Sequence, residues 1–150
     1  CRWTGVPFTS GNVIRNSNHI IFNHNNSNFY LEKVVKENTA TILWEYLDCK
    51  TELPLLWNSF PFHPHPENKT EKNRLPKKEE VKEGIDYLNM ILEIFEPTVV
   101  CPLGRVAEST LRRNFPKVHI EYIRHPSYGG KHDFIEGMDK LYGQAVCEEI

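Results

Sequence analysis

Four consecutive pieces decide the fold: KEEVKEGIDYLNMILEIF (78–95), EPTVVC (96–101), PLGRVAESTLRRN (102–114) and FPKVHIEYI (115–123). The first sets Val81, Ile85, Leu88, Ile91, Leu92 and Phe95 at three- and four-residue spacings. That period predicts an amphipathic helix over Lys78–Phe95, ended by Pro97. Thr98–Cys101 is a short apolar run and reads as a buried strand. Arg105–Asn114 reads as a second helix, stopped ahead of Pro116 because the residue before a proline avoids the helical region. Val118–Ile123 reads as another strand. Upstream, Leu53–Trp57 gives a further buried strand whose ladder Pro54 delays. Downstream, Phe134–Tyr142 gives a last helix, slightly weakened by Gly137. Strands alternating with helices predict parallel pairing through right-handed crossovers. The expected class is α/β: a three-layer α/β/α arrangement around a small central, mainly parallel sheet.

The rest of the chain is less regular. Residues 1–12 (CRWTGVPFTSGN) read as a loop punctuated by Gly5, Pro7 and Gly11. Residues 16–28 are rich in asparagine and predict a surface loop or strand fragment, and Thr39–Leu47 a short helix. Glu67–Glu80 (ENKTEKNRLPKKEE) is an exposed connection, so residues 1–150 are expected to form a single domain.

Composition excludes several classes. Eighteen basic residues against twenty acidic leave a net charge of −2, which argues against coating nucleic acid by bulk charge but leaves room for a local basic groove. No apolar run reaches the ~20 residues of a membrane span. No basic-then-apolar secretory segment is present. Cys1, Cys49, Cys101 and Cys147 are isolated, without zinc, redox or disulfide spacing. Cys49 and Cys101 read as buried thiols, and an intracellular, reducing location is expected. The chain begins at Cys1 rather than Met, and sequence upstream of it is expected.

In open parallel sheets, ligands bind beyond the carboxyl ends of the strands. Three loops follow the expected strands: 58–66, 102–105 and 124–131. All are rich in Asn, His, Gly and Pro, and all are expected at one edge. Asn58 offers an acceptor and a donor side by side, which matches a ligand edge with a complementary pair, such as the O4 and N3–H of uracil; taken alone it reads more readily as a turn-capping Asn. His125, stiffened by Pro126, has the chemistry to stabilise an anion developing on a leaving group, or it is a structural histidine. Gly129 and Gly130 permit close backbone approach, with Ser127 and Lys131 as phosphate contacts or as parts of a solvated loop. His63 and His65, held extended by Pro64 and Pro66, are expected to point to opposite faces and not to share a metal. Lys69, Lys72, Arg74, Lys77 and Lys78, interleaved with glutamates, read as a solvated cluster.

Three segments together resemble the uracil-DNA glycosylase superfamily. TGVPFTS (Thr4–Ser10) is similar to the loop whose aromatic stacks on a flipped base, WNSFPFHP (Trp57–Pro64) to the base-reading Asn motif, and RHPSYGGK (Arg124–Lys131) to the His-Pro-Ser motif. The resemblance spans nearly the whole chain and implies a role for each residue. Phe8 stacks on the extruded uracil, Asn58 reads its Watson–Crick edge, and His125 stabilises the departing uracil anion. Ser127 touches a phosphate, and Tyr128, Gly129, Gly130 and Lys131 press into the duplex.

It further implies DNA carrying uracil or a related damaged base as the partner, action as a monomer, and base excision repair as the setting. No metal and no cofactor are expected, because the isolated cysteines do not match the iron–sulfur cluster of thermostable members. The superfamily's Gly-rich first motif, which positions the attacking water, precedes the segment matched at Thr4. No residue here takes that role, so either the loop lies upstream or the chain is impaired. The alternatives are therefore a non-catalytic DNA-binding or interaction protein on the same fold, and a small-nucleotide-binding α/β protein, disfavoured by the lack of a Gly-rich phosphate loop.

Overall fold

The computed structural model describes residues 4–23, 34–70, 72 and 74–148, with side chains as far as Phe22 in the first stretch and Gly143 in the last. The described residues form six helices: α1 (Gly11–Asn16), α2 (Ile20–Asn23), α3 (Asn38–Leu47), α4 (Lys78–Phe95), α5 (Arg105–Asn114) and α6 (Lys131–Glu148). None is long and apolar enough to cross a membrane. The chain divides into two units, Cys1–Glu96 and Pro97–Ile150.

In the first unit the core gathers around α3. Val13, Ile14, Phe22, Ile42, Leu43, Trp44 and Leu47 are buried. The Trp44 ring takes the Phe22 ring edge-on at 4.7 Å, a favoured aromatic geometry. Two caps start these helices. Ser10 Oγ accepts from Val13 N, and the Glu37 carboxylate accepts from Thr39 N at 3.0 Å and Ala40 N at 2.6 Å. Glu80 plays the matching part for α4, accepting from Lys77 N at 2.6 Å. At its far end Glu96 takes a left-handed cap (φ 43) directly before Pro97. The α4 bounds agree with the sequence period, whereas its packing does not. Gly84 is its only buried residue, and Tyr87, Met90, Ile94 and Phe95 are exposed.

The predicted strand at Leu53–Trp57 is corrected by the structure: those residues have no regular secondary structure, and Leu55 is 55% exposed. Pro54 removes a ladder donor there, and no partner strand is present among the described residues. Residues 16–28 contain the short helix α2, and residues 24–28 lie outside the described residues.

The second unit keeps the parallel pairing but not a sheet. Val100 N donates to His119 O (2.9 Å), Glu121 N to Val100 O (3.1 Å), Ile123 N to Pro102 O (3.2 Å) and Gly104 N to Ile123 O (2.9 Å). These bonds make two isolated parallel bridges, Val100–Ile120 and Leu103–Ile123. Pro102 has no N–H to give, so the pairing is interrupted between them. Among the described residues this pairing is the whole of the β structure, and the expected central sheet is not formed. Helix α6 starts three residues before the predicted Phe134, at Lys131, and covers the pair. Phe134, Met138 and Ile123 are buried together. Gly137 serves this packing, because a Cβ there would meet Ile123 Cγ2 at 3.3 Å.

One charge pair gives a pH prediction. Arg74 grips Glu80 through two bonds of 2.7 and 2.6 Å, and its backbone N–H donates to Pro64 O. That hydrogen bonding, helped by the Lys77 N–H, pulls the Glu80 carboxyl from its ordinary 4.5 down to about 2. A depressed carboxyl stabilises the folded chain above its unfolded value, and the contribution is lost as pH falls from 4.5 towards 2. Glu80→Gln is expected to flatten that part of the acid limb in thermal unfolding, by a small amount because the pair is solvent-accessible.

Candidate functional site

The Phe8 loop is built by two threonines. Thr4 Oγ1 donates to Thr9 O at 2.7 Å and accepts from Val6 N at 3.2 Å. Thr9, 1% exposed, donates from Oγ1 to Pro7 O (3.0 Å) and accepts there from the Trp44 indole N–H (3.2 Å). The turn is thereby fastened to the core helix α3, and Phe8 is held at a left-handed φ of 50. A side chain in that region costs about 1–2 kcal/mol, so the surroundings impose it.

Asn58 lies half-buried in the irregular segment that replaces the expected strand. Beside it, the Trp57 indole N–H is buried without a hydrogen-bond partner among the described residues. The loop that follows is packed through aromatic edges, Phe60 to Phe62 at 5.5 Å and Phe62 to Tyr87 of α4 at 5.7 Å. It also rests on Gly84, where an added Cβ would lie 2.6 Å from Ser59 O. The opposite-face reading of His63 and His65 is corrected: their rings lie 5.6 Å apart, tilted by 36°. His63 Nε2 meets Thr70 O at 2.9 Å, and Arg74 Nε donates to His65 O, so Arg74 is tied into this loop rather than solvated.

His125 heads a tight loop in the second unit. Its Nδ1 accepts from Ser127 N at 3.2 Å, which puts the ring hydrogen of the neutral tautomer on Nε2. Its carbonyl accepts from Arg124 Nη1 at 3.0 Å, and Pro126 is fully buried beneath it. Gly130 N donates to Ser127 O at 3.2 Å, closing a turn whose central residues both have positive φ, Tyr128 at 54 and Gly129 at 79. Tyr128 stands 99% exposed at its tip. Gly130 is buried, and a Cβ there would run into His125 O. Helix α6 starts immediately afterwards at Lys131, with Phe134 N donating to Gly130 O. Residues 125–131 are thus brought together as one structure, whereas Phe8 and Asn58 lie on separate segments of the first unit.

Two glycines that the sequence does not single out lie against the candidate loops, Gly84 and Gly104. Gly104 sits at φ 91, ψ 165, a region open essentially to glycine alone, and a Cβ there would lie 3.0 Å from His125 Cβ. The joining of loops 102–105 and 124–131 therefore runs through this contact. Gly104→Ala is expected to destabilise the chain by roughly 1–3 kcal/mol, read as a lowered Tm, and to displace His125. A glycine following an expected strand was the available signal.

Other features do not join the site. A cleft of about 400 Å³ in the second unit is lined by Arg105, Tyr122, Arg124, Asp133, Glu136 and Lys140 among others, but not by His125. Within it Lys140 pairs with Glu136 at 2.9 Å, and Arg105 stacks over the Tyr122 ring at 4.0 Å. Cys49, expected to be buried, is exposed at the end of α3, and Cys101 is half-buried. Burial, with Glu121 nearby, pushes the Cys101 thiol up to about 11, which keeps it protonated.

Comparison with known proteins follows the same residues. The model of the uracil DNA glycosylase superfamily matches residues 2–141, a span that contains Phe8, Asn58 and the whole His125 loop. Searches of curated proteins and of solved structures returned no match. On a family match over nearly its whole length, the chain belongs to the uracil DNA glycosylase superfamily.

Proposed function

We propose that the chain is a DNA-repair glycosylase that hydrolyses the N-glycosidic bond of uracil, or a related deaminated base, flipped out of DNA. Membership supports a glycosylase-type function in general. The observation that carries the finer reading is the His125 turn, in which Ser127 N occupies Nδ1 and leaves the hydrogen on Nε2. A neutral imidazole in that tautomer is a donor suited to an oxygen that gains negative charge. Flipping the base costs a few kcal/mol, and stacking on Phe8 returns about 1–3 kcal/mol. The Asn58 amide reads the O4 and N3–H of uracil, and cytosine, with the opposite pattern, leaves those groups unpaired. The C1′–N1 bond then breaks with its electron pair going to uracil. His125 donates a hydrogen bond to the developing anion at O2, and water adds at C1′ with loss of a proton. Ser127, Gly129, Gly130 and Lys131 hold the backbone, and Tyr128 presses into the duplex where the base has left. DNA carrying the base is the partner, and the chain acts as a monomer in the cell interior.

The test is alkali cleavage of oligonucleotides that carry a single uracil, thymine or cytosine at one position. Strand scission confined to the uracil strand is the expected result. DNA binding that weakens with salt, with no abasic site formed, would overturn the glycosylase reading in favour of a binding protein.

A further inference from the structure

We propose that Gly84 is a positioning residue for Asn58: the bare face of α4 at Gly84 seats the backbone of Ser59 and Phe60 and so holds the Asn58 amide in register. The proposal rests on the reading of Asn58 as the base-reading residue. Glycine is a poor choice in the interior of an 18-residue helix, where alanine forms helix better. Here it is the single buried residue of α4, and what buries it is the loop after Asn58. A Cβ at residue 84 would lie 2.6 Å from Ser59 O, 3.3 Å from Phe60 Cδ2 and 3.5 Å from Phe60 Cα. The closest of these atoms is a main-chain oxygen, so no side-chain rotation relieves the contact.

A second fastening lies one turn along the same helix. Phe60 packs on Phe62, and Phe62 packs on Tyr87, three residues after Gly84 and therefore on the same face. The loop is thus held at two points against α4, by backbone contact at Gly84 and by ring contact at Tyr87. Asn58 is adjacent to the first. A reading amide needs this support, because misplacement by about 1 Å costs on the order of 10²-fold in rate.

The experiment uses the full chain carrying Gly84→Ala. Helix content by circular dichroism is expected to stay, because alanine favours the helix, while the loop must move. The Asn58 side-chain amide resonances, identified by their loss in Asn58→Ala, are expected to shift. Uracil release is expected to slow by about 10–100-fold, mostly in kcat. In an Asn58→Ala background, Gly84→Ala is expected to add less than about 2-fold, since the two act through one group. Unshifted amide resonances, or a full Gly84→Ala penalty on top of Asn58→Ala, would overturn the proposal. If Asn58→Ala itself releases uracil normally, the base-reading role fails, and the resonances still decide whether Gly84 positions Asn58. Should Gly84→Ala not fold, Phe60→Leu removes the ring from the same seat without a clash. It is expected to show the same non-additivity with Asn58→Ala, and full activity in it would overturn the proposal.

Discussion

His125→Ala is expected to lower the single-turnover rate of uracil release by about 10²–10³-fold, the usual effect of removing one donor aimed at developing negative charge. The loss falls on the chemical step, because the donor acts on charge that appears as the glycosidic bond breaks. Stability is expected to change far less. His125 is half-buried, and the core beneath its loop is supplied by Pro126, Ile123, Phe134 and Met138. The bond from Ser127 N to its Nδ1 is worth about 1 kcal/mol. A Tm within a few degrees of wild type, with excision nearly abolished, is therefore the expected pair of results. Equal losses in both would make His125 a structural histidine.

Asn58→Ala is expected to reduce kcat/KM for uracil by at least about 10²-fold, because the base edge would enter the site with a donor and an acceptor unpaired. The selectivity should fall with it. A site that pairs with both edge groups rejects cytosine by leaving buried polar groups unmatched, and an alanine rejects neither base on that ground. Comparing uracil and cytosine oligonucleotides under identical salt checks this. Retained discrimination in Asn58→Ala would move base reading to another residue.

The helices were legible because their signals are local. The spacing of Val81 to Phe95 and the proline at 97 reproduce α4, and Arg105–Asn114 reproduces α5. The parallel pairing was legible as well, since Val100 and Ile120 sit in the apolar runs that meet. Its extent was not. A strand needs a partner that donates and accepts at every second residue, and Pro54 and Pro102 each remove a donor. The period that identified α4 marks an apolar face, yet burial is decided by what packs on a helix, and there the buried residue is Gly84. Exposure of Cys49 was not legible either, because it follows the end of α3 and apolar neighbours in sequence do not by themselves bury it.

The candidate residues were legible as motifs, and the contacts that hold them were not. Phe8 and Tyr128 are both held at positive φ, 50 and 54. Nothing in an aromatic residue announces that geometry, which Thr4 and Thr9 impose at the first and the Ser127–Gly130 turn at the second. Gly84 and Gly104 likewise act through the Cβ they lack, and only the neighbouring Ser59 and His125 reveal why.

Removal of uracil through His125 is decided by measuring free uracil. The full chain, in excess over an oligonucleotide with one uracil, is assayed in single-stranded and U·G duplex form, with His125→Ala alongside. Release of free uracil by wild type, nearly abolished in the variant, is the predicted result. No release by the wild-type chain, or equal release by His125→Ala, would contradict it.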